Sequence, residues 1–202
     1  MMAAVRHAGD PPGRLRIESA ADPAPAAGDV LLRVRACGVC RTDLHVVDAE
    51  LPPRRERVIP GHQIVGDVVA AGDGVDASMR GRRVGVSWLG GIDGTCDQCR
   101  AGRENLCDAP TYTGYTRDGG YAQYAVARAD FAVALPDGLD DRQAAPLLCA
   151  GIVGFRALRV AGVQPGERVG LFGFGASAHL ALPVLRDWAC SVYVATRGRR
   201  HR

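Results

Sequence analysis

The 202-residue sequence contains no lysine at all. Its 25 basic residues are therefore all arginine, set against 22 acidic ones for a formal net charge of +3. Four of those arginines (Arg197, Arg199, Arg200 and Arg202) lie in the last six residues, which leaves a net charge of −1 before them. Aromatic residues make up only 5%. A basic, aromatic-studded surface for nucleic acid is thus excluded. No run approaches the roughly 18 uninterrupted apolar residues of a membrane span, and Met1 to Asp10 have no apolar stretch behind a basic start. The sequence accordingly predicts a soluble, unsecreted protein without membrane or nucleic-acid partners, with the cytoplasm as the expected compartment. Internal repeats and low-complexity tracts are also missing, although Ala20 to Gly28 is Ala/Pro-rich and reads as an exposed connection.

Hydrophobic residues at 47% and charged residues at 23% are ordinary globular values. Seven cysteines are present, an odd number, and most sit in tight local groups. In an intracellular protein that pattern points to metal ligation before disulfides.

Up to about residue 135 the chain reads as short β-like runs divided by Gly, Pro and Asp: Met2 to Arg6, Leu15 to Glu18, Val30 to Ala36, Ile64 to Ala71, Arg83 to Val86 and Tyr121 to Val126. This texture predicts a small β-barrel or sandwich with long loops. The stretch from Ser87 to Gly120 has almost no apolar periodicity, so something other than a hydrophobic core must hold it. From Asp140 the texture changes. Arg142 to Val160 carries apolar residues at helical spacing, Arg168 to Phe172 reads as a buried strand, Ala176 to Asp187 as a helix and Cys190 to Ala195 as a second strand. The expected organisation is α/β with a β-rich N-terminal part, residues 1–145, followed by one βαβ unit in residues 146–202.

Three groups of residues carry chemistry. In Cys96-x2-Cys99-x7-Cys107 three thiols recur in one loop, with Asp93 three residues before Cys96. Structural zinc is nearly always tetrahedral, so Asp93, Cys96, Cys99 and Cys107 are the expected ligand set, with Arg100 and Arg103 as charge compensation. A second group is dispersed: Cys40, His62 and Cys149. Spacing alone assigns them nothing. Cys149 also reads as a core residue, His62 as a turn histidine after Pro60-Gly61, and Cys37 with Cys40 as a redox pair. The third group is Gly173-Phe-Gly175-Ala-Ser-Ala178 between strand and helix, where glycines permit a tight turn and close approach of a pyrophosphate to a helix N-terminus. About twenty positions on, where an acidic residue would greet the ribose of NAD, stand Thr196 and Arg197. A small hydroxyl followed by arginine suits a 2′-phosphate, so NADP is favoured over NAD.

With these features in one order, the chain resembles the zinc-dependent alcohol dehydrogenases of the medium-chain dehydrogenase/reductase superfamily. The resemblance rests on Ala-Cys-Gly-Val-Cys-Arg-Thr-Asp-Leu-His (36 to 45), Ile-Pro-Gly-His (59 to 62), the Cys96 to Cys107 cluster, Gly-Gly-Tyr-Ala-Gln-Tyr (119 to 124) and Gly-Phe-Gly (173 to 175). It implies a GroES-like catalytic domain followed by a Rossmann domain, and interconversion of alcohols with aldehydes or ketones by hydride transfer to or from NAD(P). It further implies a catalytic zinc on Cys40, His62 and Cys149, beside the structural zinc. Thr42 would take the alcohol proton, His45 would be the outer end of a relay, Asp43 a partner behind the metal ligands, and Arg41 would lie near the cofactor phosphates. Trp88 reads equally as a pocket wall and as a packed aromatic at a strand end.

Two residues depart from the family pattern: Gln63 stands where many relatives have Glu, and Asp93 where the lobe usually begins with Cys. Family members also run to well over 300 residues, whereas this sequence stops just after the second Rossmann strand. The chain is therefore expected to be a C-terminally truncated member with an incomplete Rossmann domain. The alternative reading is a catalytically silent zinc-binding fragment. The family's homo-oligomer is not carried over to a chain lacking the rest of that domain.

Overall fold

The computed structural model describes residues 1–197. The chain divides after Leu148 into two compact units, the first being Met1–Leu148 and the second beginning at Cys149.

In the first unit, the strands are β1 (Met2–His7), β2 (Arg16–Ser19), β3 (Asp29–Cys37), β4 (Arg57–Val58), β5 (Ile64–Ala71), β6 (Arg83–Val86), β7 (Leu89–Gly91), β8 (Thr111–Tyr112), β9 (Tyr124–Arg128) and β10 (Ala132–Ala134). Short helices interrupt them: α1 (Arg41–Val47), α2 (Asp97–Arg100) and α3 (Asp141–Pro146). An antiparallel five-stranded sheet in the order β10-β6-β5-β3-β9 forms the centre, flanked by a β2-β1-β4 sheet and the β7-β8 pair. Alternation along β3 turns Val30 and Leu32 inward, where they meet Ile64, Val68, Val84, Val86, Ala125 and Ala127. Each of the Val, Leu and Ile side chains contributes about 1.5–3 kcal/mol when fully buried. Central β5 is buried on both faces. Its Val65 points away from that core and packs with Ala144, Ala145 and Leu148. Gly85 on β6 makes the room for Leu148, since a Cβ there would come within 2.5 Å of Leu148 Cδ2.

The helix expected over Arg142 to Val160 is not regular. α3 ends at Pro146, which has no N–H to give the preceding turn, and the chain widens into a π-helical turn over Leu147–Gly151 before α4 (Ile152–Val160). The run Asp141–Val160 is long and apolar enough to cross a membrane by length and composition alone. In its first turns that apolarity is used by the first unit's core, through Ala144, Ala145 and Leu148.

After α4 the second unit continues with β11 (Arg168–Phe172), α5 (Ala176–Asp187) and β12 (Ser191–Ala195). The two strands pair in parallel from Arg168↔Ser191 to Phe172↔Ala195, completing a βαβ unit. Leu158, Ala181 and Leu185 form its core. Gly154 lets α4 approach α5 closely, because a Cβ there would lie 2.6 Å from the Ser177 carbonyl oxygen.

Candidate metal centres and dinucleotide turn

Cys40 is the N-cap of α1, and its sulfur accepts from the Thr42 N–H at 3.3 Å. Asp43, in the first turn, accepts from the Cys40 N–H at 2.8 Å through Oδ2. Its other oxygen accepts from His62 Nδ1 at 3.0 Å and from the Gly61 N–H at 3.2 Å. His62 then presents Nε2 to Cys40 Sγ at 3.2 Å. Asp43 and His62 are both almost wholly buried, 3% and 1% exposed. Burial opposes a proton on His62, but hydrogen bonds to Asp43 and Cys40 outweigh it and raise the ring pKa to about 9. A carboxylate behind a histidine that faces a thiol is the arrangement in which a metal-ligating imidazole is held.

The loop bearing His62 is fixed by its backbone. Gly119, Gly120 and Tyr121 donate N–H groups to the carbonyls of Ile59, Gly61 and Pro60 at 2.6, 2.8 and 3.0 Å. Asp118 accepts from the Ile59 N–H at 3.0 Å. No side chain fits at Gly119, whose Cβ would stand 2.1 Å from the Gly61 carbonyl oxygen. Gln63 is buried, a neutral amide against Gly38. The Cys37 sulfur lies 3.7 Å from the Gly38 carbonyl oxygen, and burial pushes its thiol up to about 12.

Around this centre stand side chains the motifs do not announce. Trp88 meets the His62 ring edge-on at 5.1 Å and stacks with Tyr112 at 4.9 Å and Tyr115 at 5.9 Å. Both sequence readings of Trp88 meet here, since a ring packed on two tyrosines also borders the buried histidine. On α1, His45 Nδ1 makes a close hydrogen bond with Glu50 Oε2, and exposed Arg41 lies 3.8 Å from Glu50 Oε1. Thr42 is half-buried. Cys149 is the first residue of the second unit and directly follows Leu148 in the chain.

In the β7-β8 excursion the ligand atoms of Asp93, Cys96, Cys99 and Cys107 all lie within 4.8 Å of one another. Asp93 Oδ1 accepts from the N–H groups of Thr95 and Cys96 at 2.7 and 2.8 Å, while Oδ2 lies 3.3 Å from Cys107 Sγ. These backbone donors hold the carboxyl well below the usual carboxylate range. Three thiols and one ionised carboxylate form a donor set that fits zinc. The loop is not devoid of regular structure, as α2, β7 and β8 lie within it.

In the second unit Gly173 turns at φ +91 and donates its N–H to the Ala195 carbonyl at 2.8 Å. Gly175 is the N-cap of α5 and supplies no side-chain cap, so the helix N-terminus is open to an anion, with Ala178 in its first turns. Thr196 and Arg197 follow β12 and line one open cavity with Phe172, Gly173, Phe174 and Gly175. The remaining arginines of the tail, Arg199, Arg200 and Arg202, lie outside the described residues.

Comparison with known proteins places these features in a family. The description "Alcohol dehydrogenase GroES-like domain" matches residues 26–137, more than half of the chain. A Mycobacterium tuberculosis protein named "Probable alcohol dehydrogenase AdhA" is 50% identical over 185 residues, covering 89% of this chain and 54% of that protein. Among solved structures, a cobalt- and zinc-bound thermostable alcohol dehydrogenase from Pyrobaculum aerophilum superposes with a TM-score of 0.89 at 32% identity, over 99% of this chain and 60% of its own. An acetophenone reductase from Geotrichum candidum in complex with NAD gives a TM-score of 0.84 at 29% identity, over 96% and 57%. The chain spans about half the length of the curated relatives it matches. On the match of its β-rich unit and on these relatives, the chain belongs to the alcohol dehydrogenase GroES-like family.

Proposed function

We propose that this chain is the zinc-carrying and adenosine-facing portion of an NAD(P)-dependent alcohol dehydrogenase acting on a small alcohol or aldehyde. The observation that carries the reading is the Asp43–His62–Cys40 chain, buried at its carboxylate and imidazole, whose polar atoms converge on one point where a thiol and an imidazole nitrogen stand 3.2 Å apart. Cys40, His62 and Cys149 would hold the catalytic ion, and Asp93, Cys96, Cys99 and Cys107 the structural one. When bound, zinc supplies Lewis acidity and the nicotinamide accepts or returns a hydride.

The chain's own residues do the rest. Asp43 orients His62 and keeps Nε2 aimed at the ion's place. Thr42, at the start of α1, exchanges a proton with the substrate hydroxyl in this reading, and His45 one turn on passes it toward solvent. Gly173, Gly175 and Ala178 leave the N–H groups at the start of α5 accessible to a pyrophosphate, and Arg41 adds a charge for the phosphates. Thr196 and Arg197 favour the 2′-phosphate of NADP over the bare ribose of NAD.

The metal content of the purified, monodisperse chain tests this reading. About two zinc ions per chain are expected, together with zinc-dependent production of reduced nicotinamide from a primary alcohol. One ion without such a rate would favour the second reading, a catalytically silent zinc-binding fragment filled at the Asp93–Cys107 lobe alone. That alternative draws on the compact, four-donor geometry of the lobe, which lies within a single loop.

A further inference from the structure

Past α1 the chain makes a turn usually left to glycine. Ala49, next after the Asp48 C-cap, sits at φ +58, in the left-handed region that a Cβ-bearing residue seldom adopts. Strain held at such a position points to what the turn places. The turn closes with the Ala49 N–H on the Val46 carbonyl at 3.3 Å and the Leu51 N–H on the His45 carbonyl at 3.1 Å. Glu50, between them, is thereby folded back onto the helix. One of its oxygens makes the close hydrogen bond with His45 Nδ1, and the other lies 3.8 Å from Arg41 Nη2. A single carboxylate thus reaches both α1 side chains assigned above to the proton and the phosphates.

We propose that Glu50 is a positioning residue for His45, fixing the ring as the Nδ1–H tautomer so that Nε2 is the nitrogen that takes up and releases the proton. An ionised carboxylate can only accept, so the nitrogen facing it must carry hydrogen. Nε2 is then the basic end. A proton arriving there makes an imidazolium whose charge Glu50 balances, and the same proton departs from Nε2 to water, with no other bond made or broken. Arg41 stands 3.8 Å from the opposite oxygen, so the carboxylate is bracketed by the two α1 side chains. The role rests on the relay assigned to His45 above, but the tautomer does not.

A solvated imidazole favours Nε2–H, so the tautomer is a signature of the contact. Long-range ¹H–¹⁵N spectra of the ¹⁵N-histidine-labelled chain, recorded above the pH where the ring titrates, resolve the two forms. The sequence has only five histidines, and His45→Gln assigns the relevant ring. In the unaltered chain His45 is expected to be mainly Nδ1–H. In Glu50→Ala it reverts to mainly Nε2–H, whereas Glu50→Gln, which keeps an acceptor oxygen, stays close to the unaltered chain. His62 signals, set by Asp43, report that each variant is folded. Mainly Nε2–H in the unaltered chain overturns the proposal, and so does an unchanged tautomer in folded Glu50→Ala. Should that variant not fold, the unaltered chain's tautomer and that of Glu50→Gln decide. Failure of the dehydrogenase reading would appear as missing alcohol-dependent nicotinamide reduction and would leave these spectra as they are.

Discussion

Asp43 carries four tasks on one carboxylate: it caps the first turn of α1, orients His62, anchors the Gly61 N–H and sets the proton affinity of the ring. Asp43→Asn keeps the size but removes the charge, and second-partner losses of this kind typically cost 10–100-fold in metal affinity. Competition against a chromogenic chelator should register that loss at the Cys40–His62 site while the Asp93–Cys107 site holds its ion. Because the metal-free His62 ring keeps its proton up to about pH 9, ion uptake below that pH must displace it. The His62 contribution therefore weakens binding as pH falls below about 9 and levels off above it. Proton release on zinc addition in weakly buffered solution should rise as the starting pH is lowered from 9, and no release at neutral pH would contradict the assignment. Much of this was legible in the sequence, since Cys40, Asp43 and His62 stand in short motifs. Glu50 was not, because only a left-handed alanine brings it back to His45.

At the scale of elements, α3 is clamped to the sheet at its first residue. Asp141 accepts from Arg35 Nε at 2.7 Å and Arg83 Nε at 2.8 Å, while Arg83 also reaches the Leu139 carbonyl at 2.7 Å. Burial would raise the Asp141 pKa, but the two arginine hydrogen bonds prevail and hold it below the ordinary carboxylate value. A carboxylate depressed in the folded state contributes stability that is present above the unfolded pKa and is lost as pH falls through the folded one. Asp141→Asn should therefore lower the urea midpoint at neutral pH, with the gap from the unaltered chain closing on acidification below about pH 4; a gap independent of pH would refute the clamp.

Helix α5 offers a second test. Its end is a Schellman motif, with the Ala189 and Cys190 N–H groups on the carbonyls of Arg186 and Leu185, both at 2.9 Å. Yet the left-handed position, φ +54, is filled by alanine. Ala189→Gly should stabilise by about 1 kcal/mol, measured by denaturant unfolding that reports on the second unit. Periodicity foretold α5 and both of its flanking strands to within a residue. It foretold one continuous helix where α3, the π-helical turn and α4 stand, because the apolar spacing runs on across Pro146 while the hydrogen-bond ladder cannot.

For the molecule as a whole, the two units are stabilised by different means. The sheet unit has a core of branched aliphatic side chains and a loop with little apolar content around four convergent ligand atoms. The βαβ unit has one small core, and Phe172 and Tyr193 stand exposed on its paired strands. Chelation should therefore act unevenly. Prolonged treatment with a strong chelator is expected to expose the segment between β7 and β8 to proteolysis while the five-stranded sheet stays protected, as hydrogen exchange would register. Equal loss of protection across β3, β5 and β6 would mean that metal holds up the core itself.

Short-range pattern alone was enough for the β-to-α/β change in texture, the grouping of Asp93, Cys96, Cys99 and Cys107 in one loop and the glycine turn at Gly173. Each is local, written in spacing that needs only a few neighbouring residues to act. Where separate segments meet came from folding in three dimensions: His62 against Cys40 across 22 residues, Trp88 on Tyr112 and Tyr115, and Asp141 between two arginines of different strands. Those contacts arise because β3, β5 and β6 must share one buried face, and the register that buries it carries the loops at their ends into a common place.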